Sequence, residues 1–165
     1  MWQLRTHFWQ GMATALWLVA VGPHLDCARA DEALDVYLVQ TQVSEFFQAI
    51  AARDLAWMQS LWASDDEVAM LTLSKRRPPA VGWRAIRIAF QDGAFSFWNS
   101  FHAAPNDYPF VVIEGNVARA TFQVNGVVRN GWGETVPIVI HVSQQFRKVG
   151  DHWLLTGSWA LNTPD

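Results

Sequence analysis

VARATFQVN, residues 117–125, alternates small or apolar side chains with polar ones at a period of two. This period is typical of a β-strand with one buried face and one solvated face. The predicted strand 134–148 repeats the alternation. Its apolar phase comprises Val136, Ile138, Ile140, Val142 and Phe146, and its other phase Val139, His141, Ser143, Gln145 and Arg147. We therefore expect one face of a sheet to pack on helices and the other face to be polar.

The segments on either side of these strands complete the architecture. Residues 67–73, 108–113 and 152–161 also have strand character, and turns at 114–116, 129–133 and 150–151 place the later strands in hairpin order. A long helix is expected over 34–52, because its apolar residues recur at intervals of three and four. These residues are Val39, Val43, Phe46, Phe47 and Ile50.

Two more helices are expected before the hairpins. Asp54 can cap a short second helix. The third begins at Gly82-Trp83, and its predicted buried face comprises Ile86, Phe90, Ala94, Phe97 and Phe101. Helices followed by hairpin strands indicate an α+β domain with a largely antiparallel sheet.

The N-terminal thirty residues are typical of a signal peptide. Residues 12–22 (MATALWLVAVG) are apolar and uncharged, and Ala28-Arg29-Ala30 offers a small-x-small cleavage pattern. Cleavage there predicts an exported protein, periplasmic or secreted, that begins at Asp31 and no longer contains Cys27, the single cysteine. A retained membrane anchor is the alternative, although the apolar run is shorter than the roughly 20 residues a span needs.

The remainder, residues 31–165, has the length of one domain with one core. The formal net charge of the whole chain is −3, and no basic stripe is present, so nucleic acid is not an expected partner. The composition is rich in tryptophan. Such large rings usually fill a core, but they also line ligand pockets. Those after Ala30 are Trp57, Trp62, Trp83, Trp98, Trp132, Trp153 and Trp159.

Three local patterns resemble the SnoaL-like members of the nuclear-transport-factor-2-like superfamily. Residues 46–55 (FFQAIAARDL), with 61–66 (LWASDD), are similar to the first two helices of that family. Residues 81–87 (VGWRAIR) are similar to the start of its third helix, and 146–154 (FRKVGDHWL) to its last hairpin. The resemblance implies a cone, in which a curved sheet wraps the helices around a hollow that serves as the ligand site.

The same resemblance implies which residues line the hollow. Each of them can instead be a filled core position, since apolar aromatic residues are mostly buried. The implied lining is Phe46, Phe47, Met70, Trp83, Phe97, Phe101, Phe122 and Trp159. For binding in this hollow we expect Ser158 or Gln145 to orient the ligand.

The best-known chemistry of the family is not expected here. Ketosteroid-isomerase-like members carry a tyrosine donor and an aspartate base, and the matching positions hold Phe46 and either Met70 or Leu71. Carbanion chemistry needs a base and an oxyanion donor, and these residues supply neither.

The histidines offer weak catalytic candidates. His141 lies in the polar phase of a central strand, where a surface position or a dimer face is the simpler interpretation. His102 is expected at the C-terminal end of the third helix, where a cation is favoured. No metal site is expected, because no histidines or carboxylates have ligand spacing.

Three functions remain open at this stage. The first is an exported protein that binds a small, largely apolar molecule in the cone without a cofactor. The second is a lyase or isomerase that uses His141 or His102, and the third is an assembly module with a filled cone. In the third, the polar sheet face forms a homodimer.

Overall fold

In a computed structural model of the chain, residues 22–64, 66–71 and 78–162 are described. Helix α1 spans Gly22–Ala52 and α2 spans Leu55–Leu61. The Asp54 carboxylate accepts hydrogen bonds from the backbone N–H groups of Ala56 and Trp57, both at 2.9 Å. The predicted cap of the second helix is thus confirmed, because it satisfies two N–H groups that have no partner within the helix.

The third helical region is shorter than the sequence pattern predicts. Helix α3 spans Gly82–Ile88, a π-helical segment covers Ala89–Ala94, and α4 covers Phe95–Phe97. The next residues form a strand, so the expectation of helix through Phe101 and of a helix-terminal His102 is wrong. Phe101 pairs with Val128 and His102 with Val127 on a neighbouring strand. These ladder contacts override a helical spacing that rested on widely separated apolar residues.

The strands of the described residues form one seven-stranded sheet, with β1 and β2 placed between α2 and α3 along the chain. Its order is β2-β1-β7-β6-β5-β3, and β4 also pairs with β5. Among the described strands, all pairings are antiparallel except the parallel pairing of β1 with β7. The predicted α+β architecture is confirmed, with β2 as a short addition that the pattern did not indicate. The strands are β1 (Ala69–Leu71), β2 (Ala80–Val81), β3 (Trp98–Pro105), β4 (Phe110–Glu114), β5 (Val117–Asn130), β6 (Thr135–Val149) and β7 (His152–Asn162).

The sheet has an inner face, which packs on the helices, and an outer face. The strand alternation predicted which residues are inner: Ala118, Ala120, Phe122 and Val124 of β5 are buried. On β6, Ile140, Val142 and Phe146 are buried, whereas Val136 is 41% exposed near the β5–β6 turn. The outer face carries the polar phase together with the exposed apolar residues Phe110, Val112, Val127 and Val139.

A polar contact fastens α1 to the last two strands. The Lys148 ammonium donates to the two carboxylate oxygens of Asp35 at 2.7 and 2.9 Å, and the Trp153 indole N–H donates to Asp35 at 2.9 Å. Partial burial raises the pKa of Asp35, but the two hydrogen bonds and the Lys148 charge outweigh it, so the pKa lies below its ordinary value. This contact holds α1 across the inner face.

The predicted signal peptide falls mostly outside the described residues. Residues 1–21 are among those not described, and α1 already begins at Gly22, so cleavage after Ala30 would divide that helix. Among the described helices, none has both the length and the hydropathy required to cross a membrane. The position of the mature N-terminus remains a prediction.

Candidate functional site

A cluster of aromatic rings covers the inner face between α1, the third helical region and the sheet. Phe46 lies 5.3 Å from Phe47 and 6.1 Å from Phe90, measured between ring centroids. Phe47 in turn lies 5.9 Å from Phe122 and is stacked on Phe101 at 6.4 Å. Helix α1 places Phe46 and Phe47 side by side because consecutive residues of a helix differ by 100° in direction and both fit a wide apolar face.

The structure brings most of the predicted lining residues to this inner face. Phe46, Met70, Phe101, Phe122 and Ser158 are buried there, and Trp83 packs partly buried against the same core. Met70 pairs with Ser158, which joins β1 to β7 at the centre of the site.

Nothing is described for the side chains of two residues that the sequence singled out. Phe97 belongs to α4 and Leu71 to β1, and both side chains lie outside the described part of the chain.

Phe46 and Met70 occupy the positions where the resemblance implies a donor and a base, and both lie on the inner face. Both positions hold side chains that cannot transfer a proton.

Gln145 and Trp159 do not face the interior, which corrects their predicted placement. Trp159 pairs with Ser143 and Gln145 with Gly157, and these pairs lie on the outer face. The cause is a β-bulge: Gln145 pairs with Gly157 but Phe146 pairs with Leu155, so Thr156 is an extra residue on β7. One extra residue moves every later side chain to the opposite face.

These two residues instead line a cleft of about 320 Å³ on the outer face. The Trp159 indole covers Gly157, where a Cβ atom would lie 2.6 Å from Cζ3 and 2.9 Å from Cζ2 of that ring. The Thr156 hydroxyl donates to the Gln145 carbonyl at 3.1 Å and fastens the bulge beside the cleft. The lining residues are Glu67, Ala69, Val117, Gln145, Phe146, Arg147, Thr156 and Trp159.

The inner face also contains a polar residue that the sequence reasoning missed. Gln144 is 0% exposed, and its amide N–H donates to the Ser158 hydroxyl at 3.4 Å. Its amide oxygen has no hydrogen-bond partner among the described residues. The signal was present in the sequence, because position 144 falls in the apolar phase of β6 between Val142 and Phe146 and is the polar interruption of that phase.

The other buried polar side chains differ in how well they are partnered. The Asn130 amide oxygen accepts from the N–H groups of Trp132 and Glu134, and its N–H donates to the Glu134 carboxylate at 2.8 Å. Asn130 therefore shapes the β5–β6 turn. The indole N–H of Trp62, whose ring lies 6.4 Å from Phe46, has no acceptor among the described residues.

Neither candidate histidine reaches the interior. His141 and His102 are both exposed, and their partners on β5 are Gln123 and Val127, so both lie on the outer face. Four residues of strand separate the two partners, which is roughly 13 Å at about 3.3 Å per residue. Within the described ranges, no group of three or more His, Cys, Asp or Glu residues is placed to hold a metal ion.

Solved structures share this fold. A nuclear-transport-factor-2-like superfamily protein from Salmonella enterica aligns with a TM-score of 0.75 and 14% identity, covering 81% of this chain and 94% of its own. A ketosteroid isomerase-like protein from Erwinia carotovora aligns with a TM-score of 0.67 and 16% identity over 79% and 98%. The hexachlorocyclohexane dehydrochlorinase LinA-type3 from Novosphingobium barchaimii aligns with a TM-score of 0.71 and 10% identity, covering 80% of this chain and 88% of its own.

At these identities the similarity establishes the fold. The chain has the cone-shaped α+β fold of the nuclear-transport-factor-2-like superfamily, as the local patterns predicted. No protein-family model matches the sequence, and no curated protein matches it.

Proposed function

We propose that the protein is an exported binding protein that holds a small, largely apolar molecule at the inner face of the cone, without a cofactor. The observation that carries the proposal is the aromatic cluster around Phe47, whose ring centroid lies within 6.4 Å of those of Phe46, Phe101 and Phe122. Aromatic walls with a few polar groups are characteristic of small-molecule sites.

The chemistry of the buried polar side chains supports an uncharged ligand. Asn130, Gln144 and Ser158 are the polar residues that are buried among the described residues, and all three are neutral at pH 7. A charged ligand would lose its hydration without gaining an opposite charge from these groups, which is costly.

The solved structures of the same fold support small-molecule binding in general. Proteins of this fold bind small molecules, and the name of the Novosphingobium barchaimii protein denotes a substrate, hexachlorocyclohexane, that is small and apolar. The same fold hosts enzymes and binding proteins, so the residues of the site must decide between them.

The exposed apolar residues of the outer face favour assembly as a second function. Phe110 of the edge strand β4 is 70% exposed, and Val112, Val127 and Val139 are also exposed on this face. Exposed apolar groups among polar ones are compatible with a homodimer interface. Assembly and ligand binding use opposite faces, so one chain can perform both.

Titration with N-phenyl-1-naphthylamine, an uncharged fluorescent probe, tests the binding proposal. We expect micromolar affinity, about −8 kcal/mol, because several buried aromatic residues each contribute roughly 1.5 to 3 kcal/mol by area before the costs of association. Phe122→Leu should weaken binding at least fivefold. Phe110→Leu, in the adjacent strand but on the outer face, should leave it unchanged.

Circular dichroism must show that both variants are folded before their affinities are compared. Absence of binding to the unaltered protein, or equal affinities for the two variants, would refute the binding proposal. Sedimentation measurements on the same samples then decide whether the protein is a dimer, as the assembly function requires.

A further inference from the structure

Gln144 occupies an unusual position on the inner face. Its neighbours across the two adjoining strands are Ala120 on β5 and Ser158 on β7, both small. The side chain lies among the apolar residues Val142 and Phe146 of its own strand and is completely buried. A long polar side chain is thus placed at the centre of an apolar surface, flanked by the small side chains of the adjoining strands.

The hydrogen bonds of Gln144 are only partly satisfied. Its amide N–H donates to Ser158, while its amide oxygen has no partner among the described residues. A buried polar atom without a partner is unfavourable, and native proteins keep few of them. Asn130 shows the contrast, because its oxygen accepts two backbone N–H groups. The Gln144 oxygen is therefore suited to accept a hydrogen bond from a molecule that enters the site.

Ser158 adds the complementary group. Its hydroxyl oxygen accepts from Gln144, and its own O–H can still donate. An acceptor and a donor side by side match a hydroxyl group, which donates one hydrogen bond and accepts others. A carboxylate can only accept, so it could not satisfy the Gln144 oxygen.

We infer that the ligand of the inner face is an uncharged, mostly apolar molecule that carries a hydroxyl group, and that Gln144 and Ser158 bind this group. The inference rests on the proposed function and adds the ligand's polar end and orientation. The hydroxyl lies against β6 and β7, and the apolar part of the molecule extends towards Phe46, Phe47 and Phe122. Gln144 thereby selects for a hydrogen-bond donor.

A matched pair of probes tests the inference on the full chain. 2-Naphthol and 2-methylnaphthalene have nearly the same size, but only the first has a hydroxyl. Each probe is titrated at neutral pH into protein that holds N-phenyl-1-naphthylamine, and its affinity is determined from the displacement of this dye. We expect the unaltered protein to bind 2-naphthol about tenfold more tightly than 2-methylnaphthalene, which corresponds to about 1.4 kcal/mol.

Variants at two consecutive residues separate the faces of the sheet. Gln144→Met keeps the length of the side chain and removes the amide, so the preference for 2-naphthol should disappear while binding of 2-methylnaphthalene stays the same or improves. Gln145→Met makes the same change on the outer face and should retain the tenfold preference. Ser158→Ala removes the donor and should reduce the preference two- to fivefold.

The outcomes distinguish this inference from the proposed function. Equal binding of the two probes to the unaltered protein refutes the role of Gln144 and leaves the apolar site intact. A preference for 2-naphthol that persists in Gln144→Met also refutes the role of Gln144 and leaves the apolar site intact. If neither probe displaces the dye because the dye itself does not bind, both the site and its polar end are refuted. The comparison of probes on the unaltered chain needs no variant, so a folding defect in Gln144→Met does not prevent a decision.

Discussion

Adding a single methyl group at Gly157 tests the contact between Gly157 and the ring of Trp159. Gly157→Ala introduces a Cβ atom that would overlap the six-membered ring of the Trp159 indole, so the ring has to move. The φ angle of Gly157 is not positive, so an alanine can adopt the same backbone conformation. The cost of the substitution therefore comes from the contact with Trp159.

The magnitude follows from this contact. Overpacking costs roughly 1–3 kcal/mol, and we expect about 1.5 kcal/mol because Trp159 is partly exposed and can shift outward. In a Trp159→Ala background the overlap is gone. Alanine should then stabilise the strand by about 0.5 kcal/mol, since glycine is unfavourable within strands. The two values give a coupling free energy of about 2 kcal/mol between the sites.

Urea denaturation of the four proteins in this double-mutant cycle measures the coupling. Thermal unfolding gives a second reading, because about 1 kcal/mol changes the Tm by 2–4 °C in a domain of this size. If Gly157→Ala is equally destabilising with and without the Trp159 ring, the ring does not cover Gly157. The packing of the Trp159 ring over Gly157 on one side of β7 would then be wrong.

Three further predictions concern stability and processing. Asp35→Asn should lower the free energy of unfolding at pH 7 by about 2 kcal/mol, as expected for hydrogen bonds to a charged group. The pKa of Asp35 is depressed in the folded state. The stability that its charge contributes is therefore present above the unfolded pKa near 3.8 and is lost as the pH falls through the folded pKa. Urea denaturation at pH 7 and pH 3 should therefore show a larger effect at pH 7, and an equal effect would contradict the role of its charge. Asp54→Ala should cost about 1 kcal/mol through loss of the α2 cap, whereas Asp54→Asn should retain most of that energy. Mass spectrometry of the protein exported by its native host should find an N-terminus at Asp31, and an intact N-terminus or a lipid-modified Cys27 would contradict the predicted cleavage.

Strand alternation could be predicted because it is local. In β5 and β6 the side chains face alternate sides over long, regular strands, so residues such as Phe122 and Val142 reveal the inner face without any knowledge of their partners. The same locality explains the error in the third helical region. The spacing of Phe97 and Phe101 fits a helix. However, β3 pairs with β5, which lies later in the sequence, and this pairing makes Phe101 a strand residue.

The site could be predicted only in part because its most informative residues depend on one irregularity in β7. Simple alternation from Trp153 and Leu155 would turn Gly157 and Trp159 inward and Ser158 outward. The bulge at Thr156 reverses this phase, which buries Ser158 beside Gln144 and sends Trp159 to the outer cleft. A bulge leaves little trace in a single sequence, since any residue without special dihedral needs can occupy it.

The same irregularity explains why Gln144 and Ser158 meet at all. If Thr156 instead took a regular position opposite Gln145, β7 would present glycine and tryptophan to the inner face, and the Gln144 amide would have no hydroxyl within reach. Deleting Thr156 removes the extra residue, so Leu155, Gly157 and Ser158 can keep their partners Phe146, Gln145 and Gln144 in regular alternation. We therefore expect the deletion variant, where folded protein is recovered, to retain the preference for 2-naphthol over 2-methylnaphthalene. Loss of the preference in a folded deletion variant would show that Ser158 does not keep its place beside Gln144 and that the proposed register of β6 and β7 is wrong.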